Sequence, residues 1–237
     1  MHYQITEDSR GDWYRNIVSL RKSADLFADL VEDPAHAAIL AEHELATKLA
    51  SAPQPIIARP FEDAELYDPI AQAIAWPFEH PAASRYSTGR YGVWYGAGTM
   101  ETSVHETVYH FRKNTLASEA ARETAKPIVQ ERRVHLVHCS AALVDLRPLV
   151  QADKRLVDPD DYTYCQSLGA ELRAAFQPGV LTKSARHRNG DVIAVFVREA
   201  LSNPRDVCYL TYILDPRTGR VRVERTPGRT WMVLDVS

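Results

Sequence analysis

The chain has 237 residues, which suits one large domain, or one domain with a smaller appendage, and allows a buried core. Hydrophobic residues make up 45% of the sequence and charged residues 25%, as in typical globular proteins. The formal net charge of −3 argues against a nucleic-acid-binding protein, which usually has a basic balance or a basic face.

The spacing of the cysteines indicates whether the protein works in a reducing or an oxidising compartment of the cell. Cys139, Cys165 and Cys208 are far apart in the sequence and form no C-x-x-C pair. This spacing argues against a disulfide framework and a zinc ribbon, and it is typical of a reducing cytoplasm. No apolar run follows a basic N-terminal stretch, and none approaches the roughly 18 residues of a membrane span. We therefore expect a cytoplasmic protein with no membrane contact.

The first part of the chain has the apolar spacing of helices. Ser23 is a candidate N-cap for one helix, and Pro34 can begin a second. A third helix is predicted over 62–75, ending before Pro77. Apolar residues recur three or four positions apart in each, as a single buried helix face requires. We predict a helical segment over residues 1–80.

After residue 80 the pattern changes to short strand-like runs. The segment "DPRTGR" at 215–220 separates two of them and predicts a hairpin. Helices are predicted at about 100–112 and 160–176. Because strands and helices do not alternate regularly, we predict an α+β domain with a mostly antiparallel sheet over residues 81–237. The predicted strands lie at 85–87, 92–97, 132–139, 142–146, 179–184, 191–197, 207–214, 220–225 and 230–236.

Two side chains near the start of this domain are suited to binding a flat, charged ligand. Arg85 is predicted on a short strand, and its guanidinium can bind a phosphate or pyrophosphate through two parallel hydrogen bonds. Tyr95 closes the strand "GVWY", with Val93 on the same face and Trp94 on the other. The glycines that follow let a ligand approach the backbone, and an electron-rich ring stacks well on a cationic heterocycle. The simpler alternatives are a salt-bridged surface arginine and a core tyrosine.

A carboxylate and a polar corner lie further along the chain. Val104 and Val108 mark the buried stripe of the predicted helix, and Glu106 is rotated about 200° from Val104, toward solvent or a cleft. Ser184 and Arg186 follow a strand in "LTKSARHRNG", where a hydroxyl and a guanidinium can bind phosphate or ribose. The alternative for that segment is a hairpin with a basic turn. The sequence has no G-x-S-x-G around Ser184, and no G-x-G-x-x-G or Walker A motif.

The segment "HETVYH" is similar to the zinc-binding H-E-x-x-H motif but differs in spacing. Its histidines, His105 and His110, point about 140° apart on a helix and cannot easily bind one metal ion. His135 and His138 lie on a predicted strand, where their spacing places them on opposite faces. We therefore expect no metal site.

The order and spacing of these residues resemble the signature of the RES-domain toxins. The stretch "SRYSTGRYGVWYGAGTMETSVHE" has the family's arginine, then the tyrosine of a G-V-x-Y strand, then the glutamate of an E-T-(A/S)-x-x-E helix start. The segments "DYTYCQSLGAELRAAF" and "VLTKSARHRNGDVIAVF" resemble the family's later helix and its "SAR" corner. The similarity covers 83–197 and extends to the rest of the chain after residue 80.

The resemblance implies a fold like that of ADP-ribosyltransferases such as diphtheria toxin, with N-terminal helices followed by a split, mostly antiparallel β-sheet. It implies that the chain consumes NAD+ without a metal. It also implies that the chain is the toxin of a toxin–antitoxin system. An Xre-like antitoxin would bind DNA and block the active site, and this chain would make no direct contact with nucleic acid.

The same resemblance assigns roles to individual residues. Arg85, Glu106 and Ser184 are the residues after which the family is named, and Tyr95 is a further site residue. Arg85 would hold the phosphates of NAD+, and Tyr95 would stack on the nicotinamide. Glu106 would stabilise an oxocarbenium-like ribose, and Ser184, with Arg186, would fix the ribose or the incoming nucleophile.

The sequence leaves the acceptor of the ADP-ribosyl group open. Many protein-modifying ADP-ribosyltransferases have Glu or Gln two residues before the catalytic glutamate, and here that position is Val104. This difference favours water or inorganic phosphate over a protein side chain. Two alternatives stay open. One is a mono-ADP-ribosyltransferase that modifies a specific host protein, and the other is a binding module that releases no nicotinamide.

Overall fold

The computed structural model describes residues 3–19 and 69–235. The α-helices in these residues are α1 (Pro69–Glu79), α2 (Met100–Ala117), α3 (Glu119–Glu123) and α4 (Thr163–Ala174). The strands are β1 (Gln4–Thr6), β2 (Gly11–Val18), β3 (Ala83–Ser84), β4 (Ser87–Thr88), β5 (Trp94–Ala97), β6 (Ile128–Cys139), β7 (Leu143–Asp145), β8 (Gly179–Lys183), β9 (Asp191–Val195), β10 (Leu201–Leu214), β11 (Val221–Thr226) and β12 (Arg229–Leu234). Short 3-10 helices lie at Arg147–Leu149, Lys154–Val157 and Arg198–Ala200.

The chain divides into two compact units, each built from separate stretches of sequence. All of the site residues predicted from the sequence belong to the first unit. Of the described residues, the first unit comprises 3–15, 69–106 and 135–206, and the second comprises 16–19, 107–134 and 207–235.

The first unit is built on a sheet with the strand order β1-β7-β8-β9-β5-β2. Strands β7 and β8 pair in parallel, whereas the other neighbouring strands of this sheet pair antiparallel. Strands β3 and β4 form a separate two-stranded hairpin. Helices and a mostly antiparallel sheet are thus present as predicted, and the class is α+β.

Both faces of this sheet are covered, because its central strands have apolar residues on both sides. In β5, Trp94 packs into one apolar core and Tyr95 packs against the other, as the alternation of strand residues predicted. Helix α1 adds Ile74 to the first core, and α4 adds Leu168 and Leu172 to the second. Each fully buried side chain of this size contributes about 1.5–3 kcal/mol to stability.

The second unit is organised around the buried hydroxyl of Tyr212 in β10. Asn16 Nδ2 donates a 2.8 Å hydrogen bond to it, and Thr107 Oγ1 lies 2.8 Å from it. Arg132 donates to the side-chain and backbone oxygens of Asn16, and its guanidinium lies 5.5 Å from the Tyr212 ring centroid. Strands β10 and β11 form the predicted hairpin, which turns through Gly219 at a φ of 69°.

The prediction of helix over the first 80 residues is wrong for residues 3–19, which form β1 and β2. Strand β2 contains Trp13 and Tyr14 and ends in two β-branched residues, and side chains of these types favour an extended chain. The helix prediction rested on apolar spacing further along the sequence. The helices predicted to begin near Ser23 and Pro34 lie outside the described residues, and the domain boundary at residue 80 stays a prediction.

The sequence predicted that helix α1 ends before Pro77. In the structure the helix continues to Glu79. A proline within a helix normally leaves the carbonyl four residues earlier without its hydrogen bond. Here that carbonyl, of Ala73, accepts a 2.8 Å hydrogen bond from Trp94 Nε1. A buried strand side chain therefore replaces the missing amide donor. The predicted start of this helix, at residue 62, lies outside the described residues.

Gly169 in α4 allows this helix to lie against the β3–β4 hairpin. A Cβ atom at this position would clash with the carbonyl oxygen of Tyr86 and would lie 3.0 Å from the hydroxyl oxygen of Tyr91. We expect Gly169→Ala to lower the free energy of unfolding by about 1–3 kcal/mol, the usual cost of overpacking, in denaturant unfolding. Ala170→Ser, at an exposed position of the same helix, is the matched control. Equal stability of the two variants would contradict this close approach.

Candidate active site

Ser184 connects the turn after β8 to helix α2. Its Oγ donates a 2.5 Å hydrogen bond to Glu106 Oε1. The same oxygen accepts hydrogen bonds from the backbone amides of Arg186 at 3.1 Å and His187 at 2.9 Å. A hydroxyl has one proton to donate and two lone pairs to accept with, so these three contacts use its full capacity. Ser184 is 7% exposed and is therefore a fixed part of the site.

Glu106 lies on the face of α2 opposite the buried stripe, as predicted. Val104 and Val108 are completely buried, whereas Glu106 is half-buried. The carboxylate therefore points away from the apolar core while its Oε1 is held by Ser184. The structure thus brings together two residues that lie 78 positions apart in the sequence.

Arg85 lies in the two-residue turn between β3 and β4, and not on a strand as predicted. Such hairpin turns are favoured because their twist matches that of the paired strands. The next residue, Tyr86, is 1% exposed and anchors the turn in the core. Arg85 itself is half-buried, with Nη1 3.4 Å from the carbonyl oxygen of Leu156 and its guanidinium 4.5 Å from the Tyr162 ring centroid.

Tyr95 supports the turn that carries Arg85. Its hydroxyl accepts a 3.1 Å hydrogen bond from the Tyr86 amide and donates a 3.0 Å hydrogen bond to Ser84 Oγ. Burial raises the pKa of Tyr95 to about 12, so this phenol stays protonated at physiological pH. Among the contacts of the described residues, Tyr95 has no hydrogen bond to Glu106 or Ser184.

Arg186 and Arg85 both contact Tyr162. Arg186 Nη2 donates to the Tyr162 hydroxyl at 3.2 Å and to the carbonyl oxygen of Pro159. Tyr162 lies directly before α4 and was not singled out from the sequence. Its side chain is separated from both arginines by many residues of sequence, so no local pattern indicates the contact. Its position within "DYTYCQ", a segment that resembles the family, was the available signal.

A stacked pair of histidines lies on the other side of Ser184. The rings of His105 and His187 are 4.5 Å apart between centroids, with an interplanar angle of 1°. Nδ1 of His187 lies 2.9 Å from Thr102 Oγ1. Burial and the proximity of His187 lower the pKa of His105, which favours its neutral form. From the sequence, His105 was considered only as a metal ligand, and its contact with His187 was not predicted.

An open cleft of about 490 Å³ adjoins this histidine pair. Thr102 and His187 line it, together with Gly98, Thr99, Glu101, Asn189, Gly190 and Asp191. Most of its lining residues have polar side chains, and Thr102 lies one helical turn before Glu106 on α2. The cleft therefore opens along the helix that carries the carboxylate, and it can admit a small molecule.

The remaining histidines do not form a metal site in the described residues. His135 is completely buried and lies 2.8 Å from Asp206, whereas His138 is partly exposed and lies 3.2 Å from Asp12. One side chain is thus buried and the other reaches solvent. Within 3–19 and 69–235, no three His, Cys, Asp or Glu side chains cluster as metal ligands would. No helix in these ranges has the length and apolarity to cross a membrane.

These features define an α+β protein in which Ser184 contacts Glu106, while Arg85 and Arg186 both contact Tyr162. Residues 57–215 match the family model described as the RES domain, and the chain belongs to this family. It is similar to a chain in the crystal structure of the M. tuberculosis MbcT–MbcA toxin–antitoxin complex. That match has a TM-score of 0.38 and 18% identity, and covers 56% of this chain and 72% of the other. A comparison with curated proteins gives no match.

The support that Tyr95 gives to the turn carrying Arg85 can be measured as a change in the free energy of unfolding. Tyr95→Phe leaves the Ser84 hydroxyl and the Tyr86 amide without this partner, and we expect it to lower the free energy of unfolding by about 1–2 kcal/mol at pH 7. Tyr209→Phe, at an exposed residue of the second unit, is the control and should have little effect.

The same variant has an expected pH dependence. Because the folded-state pKa of Tyr95 is about 12 and the unfolded value is 10.0, its contribution is complete below pH 10 and is lost as the pH rises toward 12. The stability difference between wild type and Tyr95→Phe should therefore shrink over that interval. A difference near zero at pH 7 would contradict the supporting role of the hydroxyl.

Proposed function

We propose that this protein cleaves the bond between nicotinamide and ribose in NAD+ and transfers the ADP-ribosyl group to inorganic phosphate or water. The observation that carries this proposal is the 2.5 Å hydrogen bond from Ser184 to Glu106. It holds one carboxylate oxygen of Glu106 against the turn that carries Ser184 and Arg186. A positioned negative charge of this kind stabilises a sugar cation.

The reaction needs a group that stabilises positive charge on the ribose. When the bond from C1′ to the nicotinamide nitrogen breaks, the electron pair goes to nicotinamide, which leaves as a neutral molecule. The ribose then has the oxocarbenium-like charge known from glycoside hydrolysis. Glu106 stabilises this charge, and the fixed Ser184 keeps the carboxylate in place. An oxygen of phosphate or water forms the new bond to C1′, and water gives up a proton in this step.

In this proposal, the phosphate groups of NAD+ bind to Arg85 and Arg186. Arg85 and Arg186 both contact Tyr162 and offer guanidinium groups, which match phosphate oxygens in charge and geometry. Ser184 with Arg186 borders the ribose. Tyr95 acts through the turn that carries Arg85, and its half-buried ring borders the nicotinamide. No metal has a part in this proposal.

The position two residues before Glu106 supports a small acceptor. Val104 is completely buried there, so its side chain offers nothing to orient a protein substrate. His187, which stacks on His105, and Thr102 line a cleft that can hold a small acceptor. Modification of a specific host protein is the alternative that the experiment below distinguishes.

Membership of the RES domain family supports the biological role. We propose that the chain is a cytoplasmic toxin of a toxin–antitoxin system, with an ADP-ribosyltransferase-like fold and an Xre-like, DNA-binding antitoxin that occludes its active site. The slightly acidic net charge agrees with leaving DNA binding to the antitoxin.

The test is product analysis by mass spectrometry of wild type and Glu106→Gln with NAD+. The glutamine keeps an oxygen that accepts the Ser184 proton and removes only the charge. We expect nicotinamide release to fall by about 100-fold or more, as for loss of other fixed transition-state contacts. Glu119→Gln, an exposed residue on α3, is the matched control and should retain full activity.

The products identify the acceptor. Reactions are run with and without phosphate, and with and without cell extract. ADP-ribose phosphate indicates a phosphorylase, free ADP-ribose indicates hydrolysis, and a mass shift on one extract protein indicates a protein-modifying transferase. Absence of nicotinamide release from folded wild type in every condition would overturn the enzymatic proposal and favour a binding module.

A further inference from the structure

Tyr162 contacts two guanidinium groups at once. The Arg85 guanidinium lies over its ring, 4.5 Å from the centroid, which is within the range of a cation–π interaction. The tyrosine hydroxyl accepts a 3.2 Å hydrogen bond from Arg186 Nη2. The half-buried Tyr162 thus holds Arg85 over the face of its ring and Arg186 at its hydroxyl.

The connection that leads into α4 supports both arginines. The carbonyl oxygen of Leu156 lies 3.4 Å from Arg85 Nη1, and the carbonyl oxygen of Pro159 accepts from Arg186 Nη2. The turn between them is held by Asp158, whose Oδ1 accepts from the amides of the second and third residues after it at 2.9 and 2.8 Å. The segment from Leu156 to Tyr162 therefore supplies four contacts, two to each arginine.

This arrangement brings positive charges close together. Within the described residues, no carboxylate lies at ion-pair distance from Arg85, whose guanidinium contacts a carbonyl oxygen, an aromatic ring and the Cys165 thiol. Two guanidinium groups held on one side chain repel each other, and a bound anion relieves that repulsion. A group with two linked negative charges fits such a pair better than a single charge does.

We propose that Tyr162 is a positioning residue that holds Arg85 and Arg186 as one clamp for a diphosphate. This inference rests on the proposed function, in which the diphosphate is that of NAD+. Tyr162 acts through the two arginines and not on the reacting ribose. The clamp selects dinucleotides and nucleoside diphosphates over nucleosides that lack the diphosphate.

Two variants separate the two contacts of Tyr162. Tyr162→Phe keeps the ring over which Arg85 lies and removes the acceptor for Arg186, whereas Tyr162→Leu removes both. Tyr164→Phe is the matched control, because Tyr164 lies two residues further along, with its ring 3.9 Å from the Arg155 guanidinium and outside the candidate site. Thermal unfolding of each variant checks that the fold is retained.

Steady-state kinetics with NAD+ give the first readout. We expect Tyr162→Phe to raise KM by about three- to tenfold, as for loss of one hydrogen bond to a charged group at a partly exposed site, with kcat within about twofold of wild type. Tyr162→Leu should raise KM further, by about ten- to fiftyfold, because the cation–π contact is lost as well. A fall in kcat at unchanged KM would overturn the positioning role in binding.

Binding of ADP-ribose, measured by titration calorimetry, gives a readout that does not need turnover, with adenosine as the probe that lacks phosphate. The affinity for ADP-ribose should fall in the order wild type, Tyr162→Phe, Tyr162→Leu, while the response to adenosine stays unchanged. Equal ADP-ribose affinity in all three, or no binding to wild type, would overturn the clamp.

The two readouts also separate this inference from the proposed reaction. Binding of ADP-ribose that depends on Tyr162, without nicotinamide release by wild type, would sustain the clamp and overturn the reaction. If wild type releases nicotinamide, but KM for NAD+ and the affinity for ADP-ribose are the same in the Tyr162 variants, the reaction would be supported and the clamp overturned.

Discussion

The site depends on the hydrogen bond that Ser184 donates to Glu106. Two consecutive backbone amides, of Arg186 and His187, already occupy the accepting positions of the serine oxygen, so its only proton is directed to the carboxylate. The side chains of Arg186 and His187 in the same turn have different partners. Arg186 contacts Tyr162, while His187 stacks on His105. One serine therefore fixes the carboxylate and separates an arginine-lined side of the site from a histidine-lined side.

The sheet of the first unit makes this arrangement possible. Strands β8 and β9 position the turn that carries Ser184, and β5 positions Tyr95 to support the hairpin that carries Arg85. On the opposite face of β5, Trp94 donates the hydrogen bond that Pro77 cannot give to the Ala73 carbonyl. Buried apolar residues on both faces hold these strands in register, since a shift of one residue would exchange the two faces. The chemistry of the site is therefore fixed by packing on both sides of one sheet.

Sequence patterns predicted the elements well where side-chain spacing decides the structure. The face of Glu106 followed from the buried Val104, and the α+β class followed from the irregular order of strands and helices. Residues 3–19 were misassigned because the helical spacing lies further along, and Arg85 was placed on a strand because a two-residue turn is too short to leave a pattern. The Tyr162 and histidine contacts could not be predicted, since they join residues distant in sequence and depend on how turns approach one another.

A crystal structure of the Glu106→Gln variant with NAD+ would show whether the dinucleotide binds at the proposed site. We expect the diphosphate to lie within hydrogen-bond distance of Arg85 and Arg186, with C1′ of the nicotinamide ribose next to residue 106 and the Ser184 contact retained. A dinucleotide bound elsewhere, or bound with its nicotinamide ribose far from residue 106, would show that this is not the NAD+ site.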